Sequence, residues 1–166
     1  MEKRKLTNNQ INECCIFMRD AIIRDYPYYA PHANLIYNYG CRVGELFDFR
    51  ISFDAEKTKV LIHPQKNNNI RVLPMVNENV PKWVELLNIT QDNDYLNKRN
   101  FQRIIEKVNP YRQLFCGKKR IGAHIFRHNW IKKQYSDGKQ IATIDQLLGY
   151  TKQTILDTYL TSVIYY

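Results

Sequence analysis

Apolar residues near the start of the chain recur at helical intervals. Ile11, Cys15, Met18 and Ile22 fall on one face, and Thr7 with Gln10 three positions on has capping-box spacing. A first helix is expected over about 8 to 25, closed off by Pro27. A second apolar segment, Ala33 to Tyr39, ends at Gly40, which can supply a helix stop or a tight backbone turn. Arg42 and Glu45 therefore sit just past a helix boundary. The period then changes to two: Ile51 and Phe53 alternate, as do Val60 and Ile62, and Ile70 and Val72. Between these pairs lie Asp54-Ala55-Glu56-Lys57 and Asn67-Asn68-Asn69, which read as turns. After Pro74 the helical period returns, over about 77–88, 97–108, 121–136, 140–148 and 153–164. No internal repeat, low-complexity segment or linker interrupts the run. The expected fold class is α+β: mainly α with a small three-stranded antiparallel β-sheet, in a single domain over residues 1–166.

Composition narrows the partner. The 166 residues are 44% hydrophobic, enough for a real core, and carry a net charge of +9 with a pI near 9.4. Such a balance favours a polyanion over a neutral small molecule. No stretch approaches the roughly 18 to 20 consecutive apolar residues of a membrane span, and Met1-Glu2-Lys3-Arg4 is not followed by the apolar run of a secretion signal. The chain is expected to be soluble and cytoplasmic, or wherever its host's DNA resides, with no membrane partner. Cys14, Cys15, Cys41 and Cys116 form neither a CxxC pair nor a regular framework, so they read as reduced thiols, mostly buried.

Charge is also concentrated locally. From Lys107 to Ser136 there is no acidic residue, while Lys107, Arg112, Lys118, Lys119, Arg120, Arg127, Lys132 and Lys133 all lie inside. Side chains of this kind neutralise backbone phosphates and give salt-sensitive affinity for nucleic acid, although a solvated surface would look the same in isolation. Within the same segment, His124-Ile125-Phe126-Arg127-His128 falls in an expected helix, which puts His124 beside Arg127 and His128. Imidazole next to guanidinium suits a phosphoryl centre. Two histidines four apart also invite a zinc reading, but the metalloprotease pattern needs a glutamate where Ile125 stands.

Taken in order, five runs make the pattern specific. Gly40-Cys41-Arg42-Val43-Gly44-Glu45-Leu46 comes first, then Lys66 ahead of Ile70-Arg71-Val72-Leu73-Pro74, then His124-Ile125-Phe126-Arg127-His128. Leu147-Leu148-Gly149-Tyr150 follows, and finally Tyr159, nine positions beyond Tyr150. Together they resemble the ordered motifs of the phage integrase or tyrosine recombinase family over roughly residues 30 to 162. The resemblance implies the catalytic-domain fold of that family, without the N-terminal helical domain that many longer members carry. It implies site-specific breakage and rejoining of double-stranded DNA through a 3′-phosphotyrosyl link, in a DNA-bound tetramer, with no metal and no nucleotide or other cofactor. Carried over residue by residue, Arg42 and Arg127 match the two arginines, Lys66 the hairpin lysine, His124 the general acid/base and Tyr159 the nucleophile. Glu45 matches a structural position. Lys118, Lys119, Arg120, Lys132 and Lys133 are the candidate DNA contacts. Seven residues follow Tyr159, so exchange of a C-terminal segment with a neighbouring protomer is expected to be short or missing.

The chemistry supports these roles on its own terms. A phenol with a pKa of about 10 needs a base or nearby positive charge to attack at neutral pH. Guanidinium groups suit the charge that builds on non-bridging phosphate oxygens, and a lysine can protonate the departing oxygen. Lys57 and Lys59 lie close enough to compete with Lys66, and Tyr159 is one of twelve tyrosines. Tyr150 stands where the family usually has histidine or tryptophan; its hydroxyl can donate to a phosphate oxygen or pack on the nucleophile's helix. His32 and His63 fit no motif and read as structural or exposed. Two other functions share these features: strand relaxation of the type IB topoisomerase kind, and DNA binding by a protein that keeps the fold without the chemistry.

Overall fold

The computed structural model describes residues 3–48, 51–63, 69–149 and 153–166. Helix α1 (Asn8–Asp25) starts with the capping box read from the sequence: Thr7 Oγ1 accepts from the Gln10 amide, and the Gln10 side chain accepts from the Thr7 amide. Ile11, Cys15, Met18 and Ile22 are all buried. A 3₁₀ turn, Pro27–Tyr29, leads into α2 (Ala30–Tyr39), which begins three residues earlier than the apolar pattern indicated because Pro31 is accommodated in the first turn. Gly40 ends α2 in the left-handed conformation, φ 59°. A Cβ there would lie 2.6 Å from Cβ of Trp130, so this glycine allows both the stop and the close approach of a later helix. A five-residue helix, α3 (Val43–Phe47), follows at once; it is too short for periodicity to reveal.

The antiparallel sheet expected from the period-two segments is present, with strands β1 (Ile51–Phe53), β2 (Lys59–Ile62) and β3 (Arg71–Pro74) in that order. Val60 stands opposite both Phe53 and Leu73, and Ile62 opposite Ile51 and Arg71. In β3 the inward face is the reverse of the hydrophobic reading. Arg71 and Leu73 are buried, whereas Ile70 and Val72 are 49% and 44% exposed. The guanidinium of Arg71 finds enough partners inside to overturn the preference of the aliphatic residues for the core.

Helices α4 (Val80–Thr90) and α5 (Lys98–Val108) follow. The next segment corrects the sequence reading, which expected one sheet. A second antiparallel sheet forms from β4 (Leu114–Cys116), β5 (Lys119–Ile121) and, from the end of the chain, β6 (Ile164–Tyr165), with β4 in the middle. Ile121 therefore belongs to a strand, and α6 (Ile125–Ser136) starts four residues later than expected. Helices α7 (Ile141–Leu148) and α8 (Gln153–Thr161) complete the order, and α8 ends short of the expected 164 because the chain turns to join β4. Helices α1, α2 and α6 pack around one core that also receives residues from both sheets. Cys14, Cys15 and Cys41 are buried thiols and Cys116 is partly covered. His32 is fully buried, stacked on Phe47 at 4.8 Å, with neither ring nitrogen hydrogen-bonded among the described residues. Burial pushes its pKa down to about 4, so the ring is neutral and packs as an aromatic. No helix among the described residues is long and apolar enough to cross a membrane.

Candidate active site

The turn after α2 and the first half of α6 meet at a buried carboxylate. Glu45, three residues into α3, accepts the backbone N–H of Arg42 at 2.7 Å, which fixes the start of the helix. The same carboxylate lies 3.5 Å from Nη1 of Arg127 and 3.6 Å from Nη1 of Arg71, with all three side chains almost fully enclosed. Arg127 also donates from Nη1 to the carbonyl of Gly40 at 3.0 Å. Arg71 donates to the carbonyls of Leu147, at 2.9 Å, and Tyr39, and its guanidinium lies 5.3 Å from the Trp130 ring centre. One buried carboxylate thus faces two buried guanidiniums, leaving net positive charge, to which Arg42 at the mouth of the turn adds. Buried charges persist only when paired and hydrogen-bonded; both guanidiniums are ion-paired to Glu45 and donate to backbone carbonyls, while Nη1 of Arg71, at 3.6 Å, is ion-paired to Glu45 but beyond hydrogen-bond distance of it.

His124 occupies the N-cap of α6 rather than its interior, yet its backbone is already helical, φ −64° and ψ −15°. His124, Arg127 and His128 therefore still share a face; the two imidazole centres are 5.5 Å apart. Nε2 of His124 is hydrogen-bonded to the hydroxyl of Tyr159, which α8 brings across from the far end of the chain. Burial, and then the positive charges of Arg127, Arg42 and Lys119, push the His124 pKa down to about 4. The ring is consequently neutral at pH 7, and in the tautomer protonated on Nδ1 its Nε2 can accept a hydrogen bond from the phenol. Tyr159 is itself only 8% exposed and packs edge-on against His128, ring centres 4.8 Å apart.

Two recesses open on either side of His124. One, about 600 Å³, is walled by Lys119, Arg120, His124, Thr158 and Tyr159. The other, about 430 Å³, runs from Arg42 and Gly44 to Lys98 and Gln102 of α5. The β4–β5 hairpin turns at Gly117, φ 63°, and carries Lys118, Lys119 and Arg120, all exposed, of which Lys119 and Arg120 line the first recess. Lys132 and Lys133 sit elsewhere. Lys132 is half-buried and donates to the carbonyl of Ser162 at 2.7 Å, while Lys133 lies over the Tyr37 ring, 5.3 Å from its centre. Lys66 and Tyr150 are outside the described residues. Arg42, His124, Arg127 and Tyr159 are brought together. The sequence reading gave no role to Arg71 or to the partners of His128; an arginine at a strand position and a serine after a helix carry no signal of their own.

A mainly α domain with two small sheets, in which arginines, a neutral imidazole and a tyrosine hydroxyl converge, has the architecture of a tyrosine recombinase catalytic domain. The chain belongs to the phage integrase family, whose model matches residues 4–163. Its fold is similar to the crystal structure of XerA recombinase, with a TM-score of 0.61 and 19% identity over 90% of this chain and 58% of that one. It is similar also to the Tn1549 transposon integrase in complex with transposon right end DNA, with a TM-score of 0.57 and 16% identity over 96% of this chain and 61% of that one. The chain thus spans less than two thirds of the length of either structure. No curated protein matches it.

Proposed function

We propose that this chain is the catalytic domain of a site-specific recombinase that breaks and rejoins double-stranded DNA through a 3′-phosphotyrosyl intermediate. The observation that carries the proposal is the hydrogen bond between the Tyr159 hydroxyl and a neutral His124, beside the Arg42–Glu45–Arg127 cluster. His124 takes the phenolic proton as the Tyr159 oxygen attacks phosphorus. Arg42 and Arg127 stabilise the charge that develops on the non-bridging oxygens. The bond from phosphorus to the 5′ oxygen breaks, and that oxygen takes a proton from Lys66. Tyr150 supports the phosphate or the nucleophile's helix. The phosphotyrosyl ester keeps the bond energy, so a 5′-hydroxyl from a second strand completes the exchange by the reverse steps. Lys118, Lys119 and Arg120 hold flanking phosphates, a sequence-independent and salt-sensitive grip. Membership of the phage integrase family and a fold shared with an integrase bound to transposon DNA support double-stranded DNA as the substrate. Strand exchange between two sites calls for self-association into a DNA-bound tetramer.

The test is covalent capture from a pool of nicked duplexes of randomised sequence. The wild-type protein is expected to yield a DNA adduct whose modified peptide contains Tyr159, and Tyr159→Phe is expected to yield none while binding the selected duplex as tightly. Binding without any adduct from the wild-type protein favours the non-catalytic reading. Relaxation of a plasmid lacking the selected site, without recombinant products, favours the topoisomerase reading. An adduct persisting in Tyr159→Phe would falsify the assignment of the nucleophile.

A further inference from the structure

Helix α8 carries the proposed nucleophile two residues before its end, where backbone carbonyls lose their intrahelical partners. The structure fills that vacancy with Ser162, which α6 holds in turn. Ser162 donates its hydroxyl to the carbonyl of Tyr159 at 2.7 Å, and its amide reaches the same oxygen at 3.3 Å. Nδ1 of His128 is 2.9 Å from the Ser162 hydroxyl, and Nζ of Lys132 donates to the Ser162 carbonyl at 2.7 Å. His128 and Lys132 are one turn apart on α6, so a single face of that helix grips the end of α8. The direction of the bonds follows from proton counting. Ser162 has one hydroxyl proton, given to Tyr159, so Nδ1 of His128 must be the donor and Nε2 carries the lone pair. Burial, then repulsion from His124 once it is protonated and from Lys132 and Arg127, pushes the His128 pKa down to about 3, so the ring is neutral at pH 7, in the tautomer that the Ser162 hydrogen bond selects.

None of these three side chains has a part in the chemistry proposed above. We propose that His128, Ser162 and Lys132 form a clamp that sets the position of the Tyr159 hydroxyl by holding the last turn of its helix against α6. The proposal rests on Tyr159 being the nucleophile. His128 and Ser162 are then positioning residues: they act on the backbone of residue 159 and through the His128 ring packed on its phenol. The ammonium of Lys132 is committed to this clamp rather than to a phosphate. Small displacements matter here, because attack needs the reacting oxygen aligned within van der Waals contact of phosphorus.

Two measurements test the clamp: the adduct-forming rate at saturating selected duplex, and amide hydrogen exchange at residues 159–162 in the DNA-free protein. Ser162→Ala and His128→Ala are expected to slow the rate between about 10- and 100-fold with unchanged DNA affinity, and to speed exchange at those amides. His128→Asn places a donor where Nδ1 was and is expected to restore the rate; His128→Gln, which mimics Nε2, is not. Variants as fast as the wild type overturn the clamp while leaving the nucleophile assignment standing. Rescue by glutamine but not asparagine also overturns it, because the hydrogen bond that matters would then lie at the Nε2 position and not on Ser162. If the wild-type protein forms no adduct at all, the functional reading fails instead, and exchange alone decides: unchanged rates at 159–162 in Ser162→Ala sink the clamp.

Discussion

The His124 ring is neutral because it is buried and because three cations surround it, Arg127, Arg42 and Lys119, with His128 beside it on the same helix. An exposed imidazole would be half protonated near pH 6.5. Lowering that value to about 4 keeps the base form available through the whole physiological range. Protonation removes the lone pair that receives the phenolic proton in the proposed attack, so on that proposal adduct formation should fall as pH drops through the folded-state value, not through that of an ordinary histidine. Rates measured after a rapid pH jump are expected to stay level from neutrality through about pH 6 and to decline only toward about 4. His124→Gln keeps a hydrogen-bonding group but cannot take up a proton, and should cost on the order of 10² to 10⁴ in rate and abolish that decline. A wild-type acid limb centred near 6.5 would contradict the geometry. His124, Arg127 and Tyr159 were legible in the sequence because their types and order match one chemistry. His128 was visible only as part of a motif, and Ser162 not at all, since its role depends on which helix lies next to the end of α8.

At the level of elements, the helices were easier to read than the strands. Helix α1 followed from four apolar positions and a capping box, and α5 and α7 from their periodicity, because a long amphipathic stretch repeats its signal. Strands of two or three residues repeat nothing: Lys119-Arg120-Ile121 looks like a basic loop until Leu114-Phe115-Cys116 pairs with it. In β3 the alternation was correct and its sense inverted, because Arg71 is drawn inward by Glu45 and by the carbonyls of Leu147 and Tyr39. Glu45 thus joins α3, β3 and α6 through one carboxylate. Glu45→Gln leaves two enclosed guanidiniums without their counter-charge, and is expected to lower stability by about 3–5 kcal/mol. In urea unfolding this should appear as a lower midpoint with an unchanged slope. The double variant Glu45→Gln/Arg71→Met should lose less than the sum of the single losses, since it removes one of the stranded charges. A Glu45→Gln protein as stable as the wild type would mean that the cluster is held by its carbonyl contacts alone.

For the molecule as a whole, the two ends of the chain decide where the proposed nucleophile, Tyr159, can act. Beyond Ser162, strand β6 pairs with β4, Phe115 opposite Tyr165 and Cys116 opposite Ile164. The N-terminal segment runs alongside: the amide of Leu6 donates to the carbonyl of Ile164 at 2.8 Å, and Arg4 and Tyr166 exchange backbone hydrogen bonds at 3.0 and 2.9 Å. The end of α8 is thereby tied within its own chain, by a sheet on one side and by the contacts of His128 and Lys132 with Ser162 on the other. The hydroxyl it carries meets His124 of the same chain. Cleavage should therefore draw its arginine, histidine and tyrosine from one protomer. Mixing Arg127→Ala with Tyr159→Phe tests this, because neither variant alone has a complete site. If each phosphate is cut within one protomer, the mixture forms no adduct on the selected duplex beyond that of the separate variants. If α8 is instead donated to a neighbour when DNA binds, the mixture regains adduct, carried by Tyr159 of the Arg127→Ala chains. That recovery would require the β4–β6 pairing to open, so deleting residues 164–166 should then increase it. Under cleavage within one protomer the same deletion frees the end of α8 and slows the reaction of the otherwise unaltered protein.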